Sequence, residues 1–172
     1  MAVTETTENA LTTVLTKRWE SAARKFIELA GVLPDEKFEK ELVKGTRSCG
    51  AVLRHVAYWN RYIADSLNGR KADDTGNELA REQFPDKAGL LRELKKSSRD
   101  IAGGIGRALD GASMELIAMA LEHLSEHYGQ LVVYARLSGV TPPVSQGEEQ
   151  TPWSRDSASG RCVYRASARV AS

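Results

Sequence analysis

The chain has 172 residues and a mass of 18.9 kDa, enough for one domain and a short extension. Its 24 Lys and Arg balance 23 Asp and Glu, which argues against nucleic acid as the main partner because phosphate binding needs a clustered positive surplus. No run of apolar residues is long enough to span a membrane, and the N-terminus is acidic and polar rather than basic and then apolar. We therefore expect a cytoplasmic protein with neither a nucleic-acid nor a membrane partner.

Apolar residues recur every three or four positions in the first half of the chain, which is the period of an α-helix. One such stretch spans residues 11–33 and ends before a proline. Residues 34–45 then read as a connector with one short helical turn. A second helical stretch begins at Ser48, a good N-cap, and continues to residue 67, where Asn68-Gly69 is a stop signal.

Two more helical stretches follow a long polar linker, residues 68–86. The third helix is predicted from Pro85-Asp86 to Ala108, and the fourth from Ser113 to Tyr134. Linkers of this length in a compact bundle usually cross it or cover a site.

Four amphipathic helices without an alternating strand pattern predict an all-α fold, a four-helix bundle within residues 1–147. Beyond it, residues 148–172 are rich in Ser, Arg, Gly and Ala and have no apolar stripe. Such a composition buries too little surface to offset the entropy of ordering, so this segment is predicted to be a disordered tail. A docking arm built on its arginines is the less favoured alternative.

The three histidines all fall on interior stripes of predicted helices. His123 and His127 are four residues apart on the fourth helix, so their rings share one face and can reach one metal ion. His55 lies on the interior edge of the second helix and can complete a three-nitrogen site if those helices are neighbours. Three protein ligands and one open coordination position are typical of catalytic zinc sites. Imidazole suits zinc, nickel, copper or iron, and hydrogen-bonded core histidines are the alternative interpretation.

Two nearby side chains need separate interpretation. Gln130 shares the face of the histidine pair, so it could orient a metal ligand or contact substrate from outside the ligand set, or simply bond to another helix. Cys49 is turned about 240° from His55 around the helix and is expected to be a small buried residue rather than a ligand.

The joint pattern resembles the DinB/YfiT superfamily over roughly residues 15–145. Members have one histidine in the second helix and an HxxxH pair in the last helix, often followed by Gly-Gln. Here these features read LRHVAYWN around His55 and EHLSEHYGQ from Glu122 to Gln130, and the ending YARLSGVTPPVS also looks like one branch of the superfamily. Many members have arginine directly after the last histidine, where this chain has Tyr128.

The resemblance implies a bundle of the DinB/YfiT type whose three histidines bind a divalent metal, zinc or nickel being the first candidates. It also implies, for some members, a thiol-dependent reaction on a small molecule, as in mycothiol-dependent maleylpyruvate isomerase and bacillithiol S-transferases. A low-molecular-weight thiol is then the expected cosubstrate. The alternative is a non-catalytic bundle, a stress-linked or metal-sensing interaction module that dimerises through helix faces and has a structural metal or none. A homodimer is left open in either case.

Overall fold

The computed structural model describes residues 2–107, 110–146, 153–155 and 162–164, and the side chains of residues 10–107 and 110–146. The elements run in chain order as α1 (Ala2–Val32), a 3-10 turn (Asp35–Lys37), α2 (Cys49–Leu67), α3 (Lys87–Ile105), α4 (Gly111–Leu137), a second 3-10 turn (Pro143–Ser145), β1 (Trp153–Arg155) and β2 (Cys162–Tyr164).

The four predicted helices are confirmed, and three of them begin at side-chain caps. The Ser48 hydroxyl accepts a hydrogen bond from the Ala51 amide at 3.1 Å, as its sequence position predicts. Asp86 caps α3 and Asp110 caps α4, each accepting from the amide three residues on. The Asp110 cap places the start of α4 slightly earlier than the predicted Ser113, because a carboxylate satisfies the free amides of a first turn well.

The helices are not arranged around the bundle in sequence order. α1 packs against α3 and α4, and α2 packs against the same two helices. The order around the bundle is therefore α1, α3, α2, α4, with α1 diagonal to α2 and α3 diagonal to α4. α2 and α4 are neighbours, which is the condition for bringing the three histidines together.

The interior is filled by large apolar side chains from all four helices. Trp19 of α1 is fully buried, and its indole Nε1 donates a hydrogen bond of 2.9 Å to the Ser98 carbonyl of α3. α2 and α3 approach closely at Gly104, where an added Cβ would lie 2.7 Å from the Cβ of Leu67. This glycine weakens its helix intrinsically, but it permits a contact that a larger residue would prevent.

The linker between α2 and α3 crosses α2 instead of looping into solvent. We call residues 73–79 the strap. The Tyr58 hydroxyl of α2 donates to the Asp73 carbonyl at 2.7 Å and accepts from the Gly76 amide at 2.8 Å. Leu79, at the end of the strap, is buried. The expectation that this linker crosses the bundle or covers a site is met here, since the strap lies over the part of α2 that contains His55.

The predicted tail, residues 148–172, lies mostly outside the described residues. Its two described pieces are β1 and β2, which pair antiparallel with Trp153 opposite Tyr164. This pairing differs from the prediction of a tail without regular structure, because runs of three residues are too short to give a visible alternating pattern. The domain boundary near residue 147 stays a prediction. None of the helices in the described ranges is long and apolar enough to cross a membrane.

Candidate metal centre

The three histidines converge at the interface of α2 and α4. Each offers a ring nitrogen, and these atoms lie within 4.8 Å of one another. His55 Nε2 and His123 Nε2 are 3.1 Å apart. Two nitrogens bound to one zinc ion at its usual bond length lie about 2.9–3.4 Å apart, so this pair already has the spacing of two ligands. The ring centroids of His123 and His127 are 4.6 Å apart.

The tautomer of His55 follows from its contact with the strap. His55 Nδ1 lies 2.6 Å from the backbone carbonyl oxygen of Asn77. A carbonyl can only accept, so Nδ1 carries the proton and donates it. In the neutral ring Nε2 then has a free lone pair, and it points toward the other two histidines. Metal-ligating histidines are usually fixed in this way by an outer acceptor.

The tautomer of His127 follows from a chain of hydrogen bonds with one possible direction. The Tyr134 hydroxyl donates to the Arg47 carbonyl at 2.8 Å, so it must accept from the Gln130 amide nitrogen, 3.0 Å away. The amide oxygen of Gln130 consequently faces His127 Nδ1 at 2.9 Å and accepts its proton. His127 Nε2 is left with a lone pair for a metal.

The environment favours uncharged rings. Burial, with a further contribution from the neighbouring His127 and His55, lowers the pKa of His123 to about 4. Burial also lowers the pKa of His55, with the positive charge of Arg47 adding to the effect and the Asn77 carbonyl opposing it. Only neutral imidazole can ligate, so at neutral pH these two rings are in the protonation state that a metal requires. The donor set therefore fits a divalent cation.

An aromatic side chain covers one side of the cluster. The half-buried Trp59 ring lies edge-on to His55 and His123, with centroids 6.5 and 6.3 Å away. Its indole Nε1 donates to the side-chain oxygen of Asn77 at 2.9 Å, so the strap fixes this ring as well as His55.

Other candidate residues near the site stay outside the cluster. Cys49 is buried, and burial raises the pKa of its thiol to about 11, which keeps it protonated and a poor ligand. Glu126 directly precedes His127 in α4, and its side chain is exposed to solvent. Within the described residues, the group able to hold a metal has three members, all histidines.

Sequence reasoning identified the histidines and Gln130 but missed the partners that orient them. Asn77 and Arg47 act through backbone carbonyl oxygens, which every residue possesses and no sequence pattern reveals. The Tyr134 hydroxyl links Gln130 to the backbone just before α2. The side chain of Arg54, next to His55, was the one available signal, since a charge on the interior of a helix requires a partner.

The fold and the site define a four-helix bundle whose second and fourth helices carry a histidine cluster able to hold a metal ion. Residues 18–112, more than half of the chain, match the family model of the DinB superfamily. The chain belongs to the DinB superfamily. The match includes His55 and ends at residue 112, in the first turn of α4, so the contribution of His123 and His127 rests on the geometry described above. No curated protein matches the chain.

Proposed function

We propose that this protein is a metal-dependent enzyme that uses its three histidines to hold a divalent cation, with zinc or nickel as the first candidates. The observation that carries the proposal is the arrangement of lone pairs. The outer nitrogens of His55 and His127 are bonded to acceptor oxygens, which leaves a lone pair on the other nitrogen of each ring, and that of His55 lies 3.1 Å from His123 Nε2. A core histidine cluster without a ligand would leave these nitrogens pointing at one another in a partly buried space.

The ligand count supports catalysis over a structural role. Structural zinc sites are closed by four protein ligands, whereas catalytic sites keep a position open. Three histidines form the group among the described residues, and the buried Cys49 is not part of it. A bound divalent cation would supply Lewis acidity and would favour the ionised form of a coordinated thiol or water.

The reaction class is the finer part of the proposal. We infer a thiol-dependent S-transfer or isomerisation of a small molecule, with a low-molecular-weight thiol as cosubstrate, from the family to which the chain belongs. Two side chains would assist the reaction without binding the metal. Gln130 holds His127 as a ligand from outside the metal's coordination shell, and Trp59 shapes one wall beside the ligands.

The first experiment is metal analysis of the protein purified without a histidine tag, followed by a thiol-conjugation screen. We expect about one zinc or nickel ion per chain. The loaded protein should consume thiol in the presence of an electrophile, and the His123→Ala protein should not. A loaded site that accepts no exogenous thiol would instead favour the non-catalytic metal-binding bundle. A protein that binds no divalent metal would contradict the enzyme and favour a dimerising bundle without a metal, in which the histidines are core residues.

A further inference from the structure

We propose that the strap, residues 73–79, is a positioning element that sets the orientation and tautomer of His55 and holds Trp59 beside the ligands. Asn77 is the contact point. Its carbonyl oxygen lies 2.6 Å from His55 Nδ1, and its side-chain oxygen accepts from Trp59 Nε1 at 2.9 Å. One residue of the linker thus contacts both a ligand and the neighbouring wall. The inference builds on the proposed metal centre, but its first readout needs no metal.

The strap is anchored on the N-terminal side of Asn77 by a single hydroxyl. Tyr58 is buried, and its Oη donates to the Asp73 carbonyl and accepts from the Gly76 amide, at 2.7 and 2.8 Å. Gly76 is close to the same ring, where an added Cβ would lie 3.1 Å from Cε2. Tyr58 is one helical turn after His55, so this anchor fixes the strap directly above the ligand's helix.

A buried arginine provides the anchor on the other side. The Arg54 side chain is only 4% exposed, and its Nε donates to Glu78, next to Asn77, at 3.0 Å. Its two terminal nitrogens donate to both carboxylate oxygens of Glu39 at 2.7 and 3.1 Å. A bidentate pair fixes the guanidinium in one plane, so the direction in which Nε reaches the strap is fixed too. The Leu79 amide also donates to the Arg54 carbonyl at 3.4 Å.

The two anchors hold the Asn77 backbone carbonyl in place as the acceptor for His55 Nδ1–H. This carbonyl belongs to the backbone, so its position depends on the contacts that hold the strap, the side-chain bond of Asn77 to Trp59 among them. Without the anchors, the His55 Nδ1–H would lose a fixed acceptor and the ring could take either tautomer. Outer acceptors of ligating histidines usually change metal affinity by about 10–100-fold.

The test uses two conservative variants and a matched control. Tyr58→Phe removes both strap bonds and keeps the buried ring, and Glu78→Met keeps the length of the side chain but removes the acceptor of Arg54 Nε. Tyr62→Phe is the control, since Tyr62 is on the same helix and its hydroxyl bonds to no part of the strap. The tautomer of His55 is read in metal-free protein from the ¹⁵N chemical shifts of its ring, and zinc affinity from competition with a chromophoric chelator.

We expect wild type and Tyr62→Phe to show His55 protonated at Nδ1, with the same zinc affinity. Tyr58→Phe and Glu78→Met should give mixed tautomer shifts and bind zinc about 10-fold more weakly. Wild-type shifts in both variants would overturn the strap proposal, whatever the zinc result. Altered shifts together with a wild type that binds no zinc would support the strap and overturn the proposed metal centre. Glu78→Met keeps the test decisive if Tyr58→Phe melts below the measuring temperature.

Discussion

Replacing Gln130 by leucine should weaken metal binding without unfolding the protein. The amide oxygen of Gln130 is the acceptor for His127 Nδ1–H, at 2.9 Å, and its amide nitrogen donates to Tyr134. In Gln130→Leu the ring loses the group that fixes its tautomer, while Tyr134 keeps its bond to the Arg47 carbonyl. We expect metal affinity to fall about 10–100-fold, or about 1.4–2.7 kcal/mol.

The effect on stability should be smaller than the effect on the metal. Two hydrogen bonds are lost, each with a net contribution of about 1 kcal/mol, and leucine regains part of this through packing and helix propensity. Urea unfolding of metal-free Gln130→Leu should therefore show a loss of about 1 kcal/mol. Chelator competition measures the metal affinity of the same preparation, which separates the two effects.

Two further variants define the reason for the change. Gln130→Glu keeps an acceptor for His127 and should bind metal with nearly wild-type affinity, although it cannot donate to Tyr134. Glu126→Gln alters an exposed side chain beside the site and should change nothing. If Gln130→Leu bound metal as tightly as the wild type, the hydrogen bond to His127 would have no role in ligation.

Further predictions concern ligands, pH, packing and the tail. Stoichiometric metal binding, measured by elemental analysis, should be lost or severely weakened by alanine at each of His55, His123 and His127. Because burial lowers the pKa of His123 from 6.5 to about 4, the unfolded chain takes up a proton that the folded one does not between these values. Metal-free protein should thus lose stability as pH falls from about 6.5 to 4, and a His123→Leu variant should lose less. Gly104→Ala should lower the melting temperature by several degrees, since its Cβ would meet Leu67. Removal of residues 148–172 should leave the cooperative melt unchanged; a drop of several degrees would show that the tail packs on the bundle.

The helices and the histidine cluster could be predicted from the sequence because both depend on periodicity. Apolar residues that recur every three to four positions identify the buried face of a helix, and His123 and His127 lie on that face. The α1 stripe was extended too far. Leu11 is 41% exposed, since α1 has 31 residues and is longer than α2 and α3, with 19 each. At about 1.5 Å per residue, its first turns extend past any helix of that length.

The order of helices and the outer contacts of the ligands were not accessible. Periodicity indicates which face of a helix is buried but not which helix packs against it. The three-histidine site could therefore be predicted only on the assumption that α2 and α4 are neighbours. The acceptor of His55 is a backbone carbonyl from a linker 22 residues further on. Its position depends on where Tyr58 and Arg54 hold that linker, which is a property of the folded chain.

The diagonal placement of α1 against α2, and of α3 against α4, has a consequence for how the molecule can be divided. α1 and α2 both pack on α3 and α4, so a cut between residues 68 and 86 separates every helix from its principal partners. Neither fragment would contain one of the four main interfaces, and neither would contain the ligands from both α2 and α4. Half of this chain is therefore not a smaller folding unit. The two pieces could form the bundle only by associating with each other. A cation bound by residues of both α2 and α4 would then stabilise the associated state, and the more so the higher its concentration.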